Sequence, residues 1–162
     1  MTAKTQTVEE EVISSETNQM ILRQQQADSI VAKYAAWSSA FGILPIPIAD
    51  MAGISGTQVG MVASLSRLYG VPFSKRWIRT LLSAILGGVA PLAVTSSVVS
   101  SLFKSMPGVG LTVGIAGMAG LSNLATRTIG RLFIDHFERG GDLSNVNTEK
   151  MRKNLEQEIK KN

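Results

Sequence analysis

The sequence predicts an all-α protein, a helical bundle with a central glycine-rich hydrophobic hairpin. Three observations lead there. No segment shows the alternation of apolar and polar residues that a half-buried strand requires. Apolar residues recur instead at helical spacing, in segments parted by Gly and Pro stops. Two long uncharged runs, Thr80 to Phe103 (24 residues) and Ser105 to Thr126 (22 residues), are separated only by Lys104.

The elements follow in chain order. Residues 1–7 are polar, and Val8 to about Lys33 reads as one helix, free of Gly and Pro and rich in Glu and Gln. Ile13, Met20, Ala27 and Tyr34 recur every seven residues with Val31 alongside. Such a narrow apolar stripe packs either on the chain's own core or on a coiled-coil partner. The uncharged stretch from Tyr34 ends in Ile43-Leu-Pro-Ile-Pro-Ile-Ala-Asp50, where Pro45 and Pro47 break the chain. Asp50 then caps a helix from Met51 to Tyr69, or serves as a functional carboxylate; capping is the plainer chemistry. Gly70 and Pro72 end that helix. Ser74 opens the next one, which leads into the first uncharged run. Beyond Arg127 a helix continues through Leu132, Phe133, Ile134 and Phe137 to a stop at Gly140-Gly141. Asn147 or Thr148 caps a last helix, with Met151, Leu155 and Ile159 spaced by four. The expected division is an N-terminal amphipathic helix over 1–33, a helical domain over 34–145 holding the hairpin at about 80–126, and a C-terminal amphipathic helix over 146–162.

Charge decides what the hairpin faces. Only 17% of the residues are charged and mean hydropathy is +0.17, against about 25% charged in soluble domains. Residues 34–126 carry Arg67, Lys75, Arg76, Arg79 and Lys104 against Asp50 alone. Each uncharged run reaches the roughly 20 residues that a bilayer core requires. Both are diluted, by serines and Pro91 in the first and by glycines in the second. The flanks favour a membrane hairpin over one buried in a soluble bundle. Lys75, Arg76 and Arg79 precede the first run and Arg127 and Arg131 follow the second. By the positive-inside rule both termini are then cytoplasmic. The link through Pro107 and Gly108 forms the tip, and the first twenty residues hold no apolar core of an export signal.

Gly110, Gly114, Gly117 and Gly120 fall on one helix face. Small residues let helix backbones approach closely, within the hairpin, between protomers of a homo-oligomer, or inside a soluble core. Several function classes are excluded. With no cysteine and one histidine, His136, the chain holds no thiolate or multi-histidine metal site and no nucleophile–base–orienter set, so neither cofactor nor enzyme activity is expected. Gly108-Val-Gly110 lacks the following Lys and Ser or Thr of a phosphate loop. The isoelectric point near 9.6 comes without the basic stripe and interleaved aromatics of a nucleic-acid binder. Membrane lipids are the expected partner.

Three blocks together carry a resemblance. They are Ile43-Leu-Pro-Ile-Pro-Ile-Ala-Asp50 with Gln58-Val-Gly-Met61 and Leu68-Tyr-Gly-Val71, the hairpin turn Pro107-Gly-Val-Gly110, and Ile129-Gly-Arg131 with His136-Phe-Glu-Arg-Gly-Gly-Asp142. The combination resembles the YcjF-like domain-of-unknown-function family of bacteria over residues 30–145. That resemblance implies a helical, membrane-associated domain, often encoded with or fused to small GTPase domains, and no catalytic residues to carry over. The expectation is therefore a non-enzymatic scaffold or anchor of the bacterial inner membrane that self-associates and binds a partner, a GTPase among the classes implied. The alternatives are a soluble all-α interaction module with a buried hairpin, and an oligomeric pore lined by the serines between Thr95 and Ser101.

Overall fold

The computed structural model describes residues 2–41, 47–87 and 109–161, with side chains over 11–40, 56–85, 87, 117 and 119–161. Five helices account for them, and no strand occurs among the described residues. They are α1 (Thr2–Phe41), α2 (Pro47–Tyr69), α3 (Lys75–Gly87), α4 (Val109–Glu138) and α5 (Thr148–Lys161).

The stops and starts follow local chemistry. α2 ends at Gly70, whose φ of 68° suits a residue without Cβ. The Val71 N–H bonds the Ser66 carbonyl at 2.8 Å and the Gly70 N–H bonds the Arg67 carbonyl at 3.3 Å, the paired bonds of a Schellman stop. α4 ends the same way. Gly140 has φ 75°, and Gly141 and Gly140 bond the carbonyls of His136 and Phe137 at 3.0 and 2.9 Å. Ser74 caps α3 through its hydroxyl to the Trp77 N–H at 3.4 Å. Asn147 caps α5, its Oδ1 accepting the Lys150 N–H at 2.9 Å. Glu149 reaches Lys153 one turn on, at 3.0 Å.

Two boundaries differ from the sequence expectation. α1 continues to Phe41, so the division expected at residue 33 falls inside one helix. Nothing in Tyr34–Ala40 breaks a helix; only the charge stops. α2 begins at Pro47 rather than Met51, which places Asp50 inside the helix and not before it as an N-cap. A proline in the first turn is tolerated because the N–H it lacks has no intrahelical partner there.

α1 packs antiparallel against α4, with Ser38 by Ser122 and Val31 by Gly130. α2 lies against both, α3 packs on α2 and α5, and α5 closes against α3 and α4. One core runs through all five helices. Ala27 and Val31 from α1, Met61, Val62 and Leu65 from α2, Ile78, Leu81, Leu82 and Ile85 from α3, Ile129, Phe133 and Phe137 from α4, and Met151 and Leu155 from α5 are buried together. Phe133 meets Phe137 at a centroid distance of 5.8 Å, and Phe137 meets Tyr69 at 5.8 Å.

The described residues include only the two ends of the segment expected to form the hairpin. Residues 88–108, with its turn, lie outside the described residues. At the near end Leu81, Leu82 and Ile85 are in the core, and at the far end Leu121–Thr126 packs partly buried within the bundle. Val109 and Gly110, assigned to the turn, begin α4. Among the described residues no helix is long and apolar enough to cross a membrane.

Ser66 Oγ is buried in α2 without a hydrogen-bond partner among the described residues. A buried unpaired hydroxyl costs about 1–3 kcal/mol. Ser66→Ala is therefore expected to raise stability by about 1 kcal/mol, read as a higher melting temperature. An unchanged or lower value counts against that account of Ser66.

Candidate functional site

Among the described residues no three His, Cys, Asp or Glu side chains converge on a common point. His136 is occupied structurally. Its Nε2 donates to the Asp142 carbonyl at 2.8 Å, and its ring fills the space where a Cβ on Gly141 would stand, 2.5 Å away. Asp142 in turn accepts the Ser144 hydroxyl at 2.6 Å and the Ser144 and Asn145 N–H groups at 2.7 and 3.1 Å. Those bonds, the Ser144 hydroxyl first, hold its carboxyl below the usual carboxylate range. A depressed pKa of this kind stabilises the fold above the ordinary carboxylate range and is lost as pH falls through the lowered value. The His136–Asp142 block is thus a helix stop and a loop staple.

The polar side chains that do converge form a seam between α1, α2 and α4. Gln58, buried, donates from Nε2 to Thr126 Oγ1 at 2.7 Å. The Thr126 hydroxyl donates to the Ser122 carbonyl at 2.8 Å, which also accepts from Ser38 at 3.4 Å. Asn123 Nδ2 donates to the Ala35 carbonyl and to Ser39 Oγ at 3.2 and 3.0 Å, and its Oδ1 accepts from Arg127 Nε at 2.8 Å. Gln58 Oε1 has no partner among the described residues, and a buried acceptor left unpaired costs about 1–3 kcal/mol. Pairing between residues 68 apart leaves no trace in local sequence.

Two glycines sit where helices approach most closely, and neither belongs to the expected glycine face. A Cβ on Gly130 would stand 2.5 Å from a Val31 methyl and 3.2 Å from Met61 Sδ. One on Gly60 would meet the Tyr34 ring at 3.0 Å. The only signal for either in the sequence is a lone glycine inside a helical pattern. Of the expected face, Gly110 and Gly114 lie on α4 at positions whose surroundings are outside the described side chains. Gly117 and Gly120 are exposed, and a Cβ on either would meet nothing within 4 Å among the described residues. Asp50 sits in the first turns of α2, its side chain outside the described set.

The basic residues separate into two groups. Lys75, Arg76 and Arg79 begin α3 and are exposed, with no carboxylate within ion-pair distance among the described residues. They stand beside the exposed Phe73 and Trp77, and the Trp77 ring N–H donates to the Leu143 carbonyl. Some two turns of core-packed helix separate them from residue 88. Arg127 and Arg131 are exposed on α4. Arg131 lines a groove of about 250 Å³ with Thr128, Leu132, Asn154, Gln157 and Glu158.

Tyr69 is the group, among the described residues, whose titration moves far. Burial first, then its hydrogen bond to Glu138 Oε1 at 3.1 Å, pushes the phenol up from 10.0 to about 12. A folded-state pKa above the unfolded one means this contribution is complete below pH 10 and is lost as pH rises from 10 to about 12. In a Tyr34→Phe background, alkaline titration of phenolate absorbance should show Tyr69 ionising late. Tyr69→Phe should lose less stability across that window. An ordinary midpoint near 10 overturns the assignment.

No solved structure matches the chain. It is 33% identical over 135 residues to Magnetosome membrane protein 22 of Magnetospirillum gryphiswaldense (strain DSM 6361 / JCM 21280 / NBRC 15271 / MSR-1), an alignment covering 83% of this chain and 69% of the relative. The model of the family described as Domain of unknown function (DUF697) matches residues 7–162. With a match of that extent, the chain belongs to the DUF697 family.

Proposed function

We propose that this chain is a non-enzymatic scaffold or anchor protein of the bacterial inner membrane. It attaches through the segment around residues 88–108, holds its helical bundle and both termini on the cytoplasmic side, and self-associates. The observation that carries the reading is the 33% identity to a protein named as a magnetosome membrane protein. The two uncharged runs support it, since the part of them between α3 and α4, residues 88–108, carries only Lys104 and suits a segment that dips into the bilayer. So does the excess of Lys75, Arg76, Arg79, Arg127 and Arg131 near the ends of those runs, within the distance over which basic residues orient a segment. Gly117 and Gly120, with nothing within 4 Å of an added Cβ among the described residues, are compatible with contact to another protomer. The commitment of His136 to a helix stop supports a non-enzymatic role. A GTPase is the partner class that the family resemblance implies.

A soluble interaction module is the rival, favoured by the burial of Leu81, Leu82 and Ile85 in the bundle. Membrane fractionation with an alkaline carbonate wash separates the two. The proposed reading expects the protein in the pellet, released only by detergent. Recovery in the supernatant without detergent establishes the rival.

A further inference from the structure

Only the second half of α1 belongs to the bundle. Residues 11–26 are exposed throughout, and burial begins at Ala27. The exposed part carries Val12, Ile13, Met20, Ile21 and Leu22, with Ile13 62% and Met20 61% exposed. It is also a poor helix on its own. None of Glu9, Glu10, Glu11 and Glu16 has a basic residue four positions on. The Ser15 and Thr17 hydroxyls bond back to the Val12 and Ile13 carbonyls, each at 2.8 Å, which gives the backbone an alternative to the helical ladder. A polar helix without such support is marginal in water, so this arm calls for a covering surface.

A surface of matching chemistry lies at the corner between α2 and α3. Arg67, Lys75, Arg76 and Arg79 place four cations there with no acid between residues 67 and 79, beside the exposed Phe73 and Trp77. The arm from Thr2 to Leu22 carries four acids against Lys4. The two surfaces are neighbours in the fold, because α1 packs along α2, with Tyr34 against Gly60 and bonded to Ser64, so that the point where α1 leaves the bundle lies toward the C-terminal end of α2. They cannot meet within one chain, since α1 is unbroken through the point where it docks. A parallel pairing of two arms sets the glutamate runs against each other and is disfavoured.

We propose that the N-terminal half of α1 docks on the α2–α3 corner of a second copy of this chain, in a reciprocal two-fold exchange. Val12, Ile13 and their apolar neighbours cover Phe73 and Trp77, and the glutamates of the arm face Lys75, Arg76 and Arg79. An isologous contact of this kind buries both unpartnered surfaces of both protomers at once. The proposal rests on the self-association in the reading above and is independent of membrane attachment.

The test uses the full chain in detergent, followed by sedimentation. Reversing the arm (Glu9→Lys, Glu10→Lys, Glu11→Lys) or the corner (Lys75→Glu, Arg76→Glu, Arg79→Glu) is expected to weaken dimerisation about tenfold. Mixing the two reversed proteins restores a heterodimer. Because the chain lacks cysteine, Ile13→Cys in one population and Phe73→Cys in another should yield the mixed disulfide on oxidation. Unchanged helical circular dichroism verifies that each variant is folded. Dimers indifferent to both reversals overturn the proposal and leave the glycine face as the contact. Disulfides only between two Ile13→Cys chains overturn it in favour of paired arms. A corner reversal that abolishes binding to phosphatidylglycerol vesicles, with self-association unchanged, assigns the corner to lipid instead. A monomer at all concentrations overturns the self-association itself.

Discussion

Phe133→Ala is expected to cost about 3–5 kcal/mol, the largest loss expected from truncating a side chain of the described core. Phe133 is fully buried in the last two turns of α4, in the cluster to which all five helices contribute. Its ring is tilted against that of Phe137, at 5.8 Å and an interplanar angle of 48°, an arrangement that adds to simple area burial. Truncation removes the ring and leaves a cavity that the rigid helical backbones around it close only in part. In a chain of this size the loss corresponds to a fall of roughly 10 °C in melting temperature. A loss below about 1 kcal/mol means the helices do not share one core there.

Gly130→Ala comes next, with an expected cost of about 1–3 kcal/mol from overpacking. The added methyl stands 2.5 Å from one Val31 methyl and 2.7 Å from the other. Val31 is β-branched and held in a buried position on α1, so it has no spare rotamer to yield. The backbones must part instead, which opens the α1–α4 contact along its length. Gly130→Leu is expected to abolish folding of the bundle. Gly120→Ala is the internal control. It lies in the same helix with nothing within 4 Å, and alanine exceeds glycine in helix propensity by about 1 kcal/mol. The two substitutions should therefore move stability in opposite directions, as thermal unfolding would show. Equal effects contradict the close approach at Gly130.

The comparison of sequence and structure divides along the range of the interactions. Gly70, Ser74, Gly140 and Asn147 are legible because each stop or cap is made by groups within a few residues. The buried stripe of α5 is legible for the same reason, since Met151 and Leu155 follow the helical repeat, whereas Leu81, Leu82 and Ile85, which the sequence reading assigns to the start of the hairpin, pack in the bundle core. The start of α2 is not legible, because proline breaks a helix in its interior yet suits its first turn. Close approach at Gly60 and Gly130 depends on how helices cross, and glycine spacing alone cannot rank positions by it. Regular spacing marks out the glycine face, of which Gly117 and Gly120 have nothing within 4 Å of an added Cβ among the described residues. The seam from Gln58 through Thr126 to Ser38 joins three helices, so nothing local in the sequence marks it.

The exposed aromatic residues bear on function more than the buried ones. Trp37 and Trp77 are about half exposed in a chain with only two tryptophans. A large amphipathic ring at a surface is commonly covered by a partner or an interface. For Trp77 the cover proposed is the arm of a second protomer.

Flotation with lipid vesicles tests the central claim most directly, that the bundle is tethered to a membrane through the segment between α3 and α4. The full chain should rise with vesicles and stay with them at high salt and alkaline pH. The double substitution Val98→Arg, Val99→Arg places two charges in the first uncharged run, each costing about 2.5–3.5 kcal/mol at the centre of a span. It should remain at the bottom of the gradient while its bundle keeps helical circular dichroism and a cooperative melt. A full chain that fails to float, or a charged variant that floats as well as the parent, contradicts the account.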